Sequence, residues 1–262
     1  MKPNLYRVNA FATDLTSGNP AYVVKLSKPK SDFWMQQVAK ELNLPITAFL
    51  INTQDKRFAL KWFTPSQEIS LCGHGTMAAA HVLWEENDIA KDTPIYFDTK
   101  AGNLKINYRN EGIQMAFPSD SPEPADDVPS LLKQALPVPT KNVEQNKDRY
   151  IVELDNEEIL KSLKPDFDLI SNLSVTGVVV TSLSDEYDFI SRYFAPSIGI
   201  DEDFVTGSAH CGLTPYWSKR LGKNKLHAFQ ASGRGGELYL EQKKDLIYIT
   251  GKAYTVYKGT LL

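Results

Sequence analysis

Apolar and polar residues alternate in many short runs along this chain. Lys105 to Tyr108, Gly112 to Phe117, Glu237 to Glu241 and Leu246 to Thr250 all carry a period of two, which predicts half-buried strands. Two further runs are aromatic-rich and end in proline: Phe58-Ala-Leu-Lys-Trp-Phe-Thr-Pro65 and Phe189-Ile-Ser-Arg-Tyr-Phe-Ala-Pro196. Each reads as a strand closed by a turn. Elsewhere the period lengthens to that of a helix. Ser31 is placed to cap a helix reaching Leu42, with Trp34, Val38 and Leu42 on one face. Asp155 is placed to start another that carries Ile159, Leu160 and Leu163.

The runs repeat in order. Each aromatic strand is followed by a loop and a small-residue segment, Cys72-Gly-His-Gly-Thr-Met-Ala-Ala-Ala80 or Thr206-Gly-Ser-Ala-His-Cys-Gly-Leu213. Both segments continue into a helical stretch with a tryptophan, and 18 residues separate Trp84 from Gly102 as they do Trp217 from Gly235. Four matches in one order indicate two copies of one α/β unit. The expected fold is therefore α+β, with two pseudo-symmetric lobes, each a curved, mostly antiparallel sheet around a glycine-started helix. The expected boundaries are 1–118 for the first lobe, with 253–262 able to complete it, and 150–252 for the second. The proline-rich stretch 119–149 reads as a linker holding a short helix from Val128 to Leu136.

Composition narrows the function. A net charge of -3 over 262 residues gives no electrostatic basis for binding nucleic acid or an anionic membrane. Two cysteines cannot form a disulfide framework, and no apolar run approaches membrane-spanning length. Met1 to Thr13 is interrupted by Asn4, Arg7 and Asn9, unlike a signal peptide, so a cytoplasmic protein is expected. His74, His81, His210 and His227 show no metal-ligand spacing with Cys72 and Cys211. There is no dinucleotide or phosphate loop. Neither metal nor cofactor is expected.

The chemistry then falls to the two helix starts. A helix opening on small residues leaves its first N–H groups open to an anion, and the dipole favours one there. If the copies face each other, both starts meet one substrate in a cleft between lobes, and a carboxylate can be held without any arginine. An acid–base group on each side would remove a proton and return it elsewhere, the requirement of an epimerase or double-bond isomerase.

Four motifs carry a family resemblance. They are Asn9-Ala-Phe-Ala-Thr…Gly18-Asn-Pro-Ala-Tyr-Val23, Trp62-Phe-Thr-Pro…Glu68-Ile-Ser-Leu-Cys-Gly-His74, Phe194-Ala-Pro…Gly199-Ile-Asp-Glu-Asp203-Phe-Val-Thr-Gly-Ser-Ala-His210 and Gln230-Ala-Ser-Gly-Arg-Gly-Gly236. Their order and spacing resemble the PhzF-like (phenazine biosynthesis-like) family over essentially the whole chain. The resemblance implies the diaminopimelate-epimerase fold, a homodimer, and a cofactor-independent isomerase acting on a small carboxylate-bearing metabolite in a biosynthetic process. It places the family's histidine at His74, its aspartate at Asp203 and its serine at Ser208. The family's catalytic glutamate belongs in an Asn-Leu-Ser-Glu-Thr-x-Phe motif. Here the stretch reads Asn43-Leu44-Pro45-Ile46-Thr47-Ala48-Phe49, so Ile46 stands where the acid should be, and isoleucine moves no proton.

The expected catalytic residues are His74, with a pKa near neutrality, Asp203 and Cys72. Cys72 is either a thiol activated at a helix start or a small buried hydrophobe. Ser208 falls where related epimerases place a second cysteine, so a two-thiol mechanism is excluded. Asn19, Gly73, Gly75, Thr76, Gly207, Ser208 and Ala209 are the expected substrate-binding residues. Arg234 reads as tying a turn, and Cys211 as core. The rival reading is a retired enzyme that still binds a small acid or a protein partner, since an acid replaced by isoleucine is what lost catalysis would leave.

Overall fold

A computed structural model describes residues 2–54, 56–110 and 112–262. They form two compact units, one running up to Ala116 and including Thr250–Leu262, the other Phe117–Ile249. No helix among the described residues is long and apolar enough to cross a membrane.

In the first unit, Asn4–Ala10 pairs antiparallel with both Ala253–Thr260 and Asn19–Leu26. Asn19–Leu26 runs parallel to Ile46–Gln54, which is antiparallel to Arg57–Phe63. That strand runs parallel to Ile95–Thr99, which pairs antiparallel with Gly102–Arg109. The second unit uses the same sequence of pairings. Asn142–Gln145 is antiparallel to Arg149–Glu153, which is parallel to Gly177–Ser182 and through it antiparallel to Phe189–Ala195. Phe189–Ala195 runs parallel to Lys225–Gln230, which pairs antiparallel with Gly236–Lys243. In each unit the central helix intervenes before the second parallel strand. The repeat read from the sequence is thus a repeat of strand topology, and the expected α+β class is the one observed.

Each sheet wraps its central helix, which is buried over most of its length. In Gly73–Glu85, Gly75 to Ala80 and Val82 to Trp84 are all buried. A helix that is apolar all round belongs inside a core, and three successive alanines let the strands approach it closely. Gly207–Leu221 is buried along most of its length as well and contains Pro215. Proline has no N–H to give the carbonyl four residues back. That carbonyl, on Cys211, instead accepts from the Asp120 N–H at 3.1 Å.

The second helix is pinned to its sheet by polar contacts inside the core. Trp217 Nε1 donates to Thr181 Oγ1 at 2.9 Å, and Thr181 Oγ1 donates to the Ile190 carbonyl at 2.7 Å. Tyr216 donates its hydroxyl to Glu153 at 2.6 Å, and the Trp217 ring stacks on Phe189. Outside this sheet, Ser130–Ala135, Glu157–Ser162 and Phe167–Ser171 cover an apolar cluster built on Leu132, Leu160, Ile170, Val178 and Val180. The stretch 119–149 lies in this unit, where it supplies Ser130–Ala135 and Asn142–Gln145.

Local signals held with small shifts. Ser31 accepts from the Trp34 N–H at the start of Asp32–Leu42. The helix expected to start at Asp155 begins at Glu157, with Asn156 as its cap, accepting from Ile159 N–H at 2.9 Å. Both residue types cap well; Asn156 is the one in extended geometry three residues before the free N–H.

Thr181→Val keeps the shape of the side chain but leaves the Trp217 N–H buried without an acceptor. The expected cost is about 1–3 kcal/mol, read as a lower urea midpoint at unchanged slope.

Candidate active site

The first helix start is built around Cys72. It is the N-cap of Gly73–Glu85, buried and in extended geometry, and its Sγ accepts the Gly75 N–H at 3.4 Å. The same sulfur lies 3.5 Å from His74 Nδ1. The Thr76 hydroxyl donates to the Cys72 carbonyl at 2.6 Å, and the Thr76 N–H donates to that carbonyl at 3.0 Å. Gly75 and Thr76 therefore have no donor to spare. The N–H groups of Gly73 and His74 have no protein acceptor among the described residues and are the ones open to a ligand.

His74 is half-buried, and desolvation pushes its imidazole down to about 4. This corrects the expectation of a pKa near neutrality. Burial is the cause, so at neutral pH His74 is a neutral imidazole, donor at one nitrogen and acceptor at the other.

Ile46 is the first residue of Ile46–Gln54 and lies beneath this start, 3% exposed. A Cβ on Gly75 would meet Trp62 Cδ1 at 2.8 Å and Ile46 Cγ2 at 2.9 Å, with Trp62 Nε1 at 3.2 Å. Only glycine fits there. Trp62 is 1% exposed, and its indole N–H has no hydrogen-bond partner among the described residues. A buried donor thus sits beside the position where the family resemblance puts an acid and this chain has a hydrocarbon. Asn19, fully buried, opens the neighbouring strand and pairs with Ala10.

The second start is more polar. Thr206 caps Gly207–Leu221 with its backbone, while its hydroxyl donates to Asp203 Oδ2 at 2.6 Å and its N–H to Gln230 Oε1 at 2.8 Å. Gln230 Nε2 returns a bond to the Asp203 carbonyl at 2.7 Å. Asp203 is thereby held beside the helix start in a fixed orientation. The Ala209 N–H donates to Thr206 O, leaving Gly207 and Ser208 with the open N–H groups. Ser208 is exposed. His210 is fully buried, donates from Nδ1 to Thr206 O at 2.9 Å, and is pushed down to about 4 by burial. Burial pushes the Cys211 thiol up to about 12, making it a core group with no acid–base use. Arg234 lies over the Phe204 ring.

One residue escaped the sequence reading. Arg149, 6% exposed, reaches this start and places Nη1 3.4 Å from Ser208 Oγ. An arginine thus lies at the second helix start, alongside the open N–H groups that the sequence reading relied on. Its local signal is faint: a single cation opening the buried strand Arg149–Glu153.

Comparison with known proteins places the chain in a family. The model of the phenazine biosynthesis-like protein family (PhzC-PhzF) matches residues 8–259. An uncharacterized isomerase of Halalkalibacterium halodurans is 45% identical over 264 residues, covering 100% of this chain and 99% of its own. The crystal structure of a PhzF-family protein from Enterococcus faecalis superposes with a TM-score of 0.96 at 38% identity, over 100% of both chains. At the level of fold alone, a hydroxyproline epimerase from Agrobacterium vitis matches with a TM-score of 0.64 at 11% identity, over 99% of this chain and 93% of that one.

Two outcomes follow from this geometry. His74 and His210 stay neutral in the folded chain down to about pH 4, whereas an unfolded histidine protonates near about 6.5. Between those values the unfolded chain binds more protons, so stability is full above the upper one and is lost as pH falls through the window. The urea midpoint should drop from pH 7 to pH 5, and His210→Gln should flatten that drop; parallel profiles would refute it. At position 46, Ile46→Gln supplies an acceptor for Trp62. It should cost about 1 kcal/mol less beside Trp62 than in a Trp62→Phe background; equal costs would show that the indole does not reach position 46.

Proposed function

The chain belongs to the phenazine biosynthesis-like (PhzC-PhzF) family, and from that premise we propose that it is a cofactor-independent isomerase moving a proton on a small carboxylate-bearing metabolite. The observation that carries this reading is the thiol–imidazole pair at the start of Gly73–Glu85. Cys72 Sγ and His74 Nδ1 lie 3.5 Å apart, where the chain has no carboxylate at position 46.

The pair is chemically suited to the task. A thiolate formed at Cys72 would sit at the positive end of the helix dipole and accept the Gly75 N–H. Neutral His74, donating from its ring N–H, would hydrogen-bond the sulfur once the thiol proton has left to solvent. The thiolate then removes a proton from the carbon next to the substrate carboxylate. The resulting electron pair spreads into the carboxylate, whose oxygens the open N–H groups of the helix starts would hold. Asp203 is the candidate for delivering a proton at the second carbon or face. Asn19, Gly73, Gly207 and Ser208 are the proposed substrate-binding residues. The protein would work as a homodimer in the cytoplasm.

The buried Ile46 supports a second reading, a member that binds a small acid without turning it over. Solvent exchange separates the two. In deuterated buffer, a panel of small amino, hydroxy and dienyl acids is followed by NMR. The isomerase predicts deuterium entering at least one substrate, with Cys72→Ser slowing exchange by about 10²-fold or more and His74→Asn also slowing it. Exchange that survives Cys72→Ser unchanged would remove the thiol from the mechanism. Exchange appearing only with Ile46→Glu would establish the retired enzyme.

A further inference from the structure

We infer that Arg149 is a positioning residue that fixes Ser208 as a hydrogen-bond donor to an anionic ligand oxygen. The inference rests on the reading that the start of Gly207–Leu221 holds a carboxylate, and it names the group that gives this start its polarity. A guanidinium has only N–H donors. At the 3.4 Å contact with Arg149 Nη1, Ser208 Oγ must therefore be the acceptor. Its own proton has no acceptor among the described residues, and the side chain is exposed, so the O–H is presented outward. The N–H groups of Gly207 and Ser208 open from the same turn. An oxygen meeting Ser208 would find donors only.

Arg149 is itself held on the other side. Its Nε and Nη2 donate to the two oxygens of Asp148 at 3.0 and 2.9 Å, and its guanidinium lies 5.3 Å from the centre of the Tyr193 ring. The fork is thus used up against Asp148, and Nη1 is what remains for Ser208. Asp148 is partly exposed while Arg149 is buried, so the carboxylate is solvated and the donor side faces inward. Asp203 Oδ2 takes the Thr206 hydroxyl. Lysine would keep the charge and lose the fork, so it cannot grip Asp148 with two nitrogens and reach Ser208 with a third.

The test uses the ¹⁵N-labelled full chain titrated with malonate, with malonamide as the uncharged control. Ser208 and Ala209 amide shifts report binding. Malonate should give saturable shifts, and malonamide should not. Ser208→Ala and Arg149→Lys should each weaken malonate by about 5- to 10-fold, the value of one hydrogen bond. The double variant should bind no worse than Ser208→Ala alone, because Arg149 acts through the serine. Arg149→Lys is used only where its amide spectrum stays dispersed, and Asp148→Asn, which loosens the fork, should weaken malonate in the same direction. Full affinity in Arg149→Lys beside weakened Ser208→Ala would overturn the role of Arg149 and leave the helix-start reading intact. Additive losses in the double variant would overturn positioning in favour of direct contact. Equal response to malonamide, or none to malonate, would defeat the helix-start reading itself.

Discussion

In each unit, one helix is enclosed by one curved sheet, and the rest of the molecule depends on that enclosure. It requires small or apolar residues around the helix, as the alanines of Gly73–Glu85 illustrate. It also requires that the chain reach the helix through a turn with little room for side chains. Gly75 shows how tight this becomes, with Trp62 and Ile46 already occupying the space a Cβ would need. The same crowding determines which N–H groups stay open. The third N–H of each helix is taken from within its own turn, by Cys72 Sγ in one unit and by Thr206 O in the other. The first two are left. Packing of the core therefore selects the donors available to a ligand.

That enclosure also explains what could be read from residues alone. The strands show through as alternation closed by Pro65 and Pro196, and the central helices as small-residue runs followed by Trp84 and Trp217. Such signals are local, and their recurrence in order revealed the duplication before any pairing was known. The identity of Ile46 was legible because Asn43, Leu44, Thr47 and Phe49 fix the register. Its surroundings were not, since Trp62 and Gly75 come from other elements. Arg149 was hidden for the same reason: 59 residues separate it from Ser208. The neutrality of His74 depends on how much protein encloses the ring, which sequence does not state.

The two starts differ in a way that their common topology does not require. Cys72 and neutral His74 make the first one soft and nearly uncharged, with an apolar floor at Ile46. The second is organised by Asp203, Thr206 and Gln230, which are bonded to one another, and by Arg149, which reaches Ser208. Chemistry that removes a proton at one place and restores it at another benefits from such asymmetry, since two groups with different proton affinities can divide the tasks of base and acid.

The floor of the first start bears on how this asymmetry arose. A buried N–H without a partner costs about 1–3 kcal/mol, and Trp62 carries that cost beside Ile46. Had the pocket been shaped for a hydrocarbon from the outset, phenylalanine at position 62 would fill it without the penalty. An indole there would be satisfied by an acceptor within its reach. A carboxylate at position 46 would meet that description, and its replacement by isoleucine would remove the acceptor while leaving the donor. The first start thus holds a buried indole donor without an acceptor beside an apolar floor, with the Cys72 thiol and the His74 imidazole as its neighbouring polar groups.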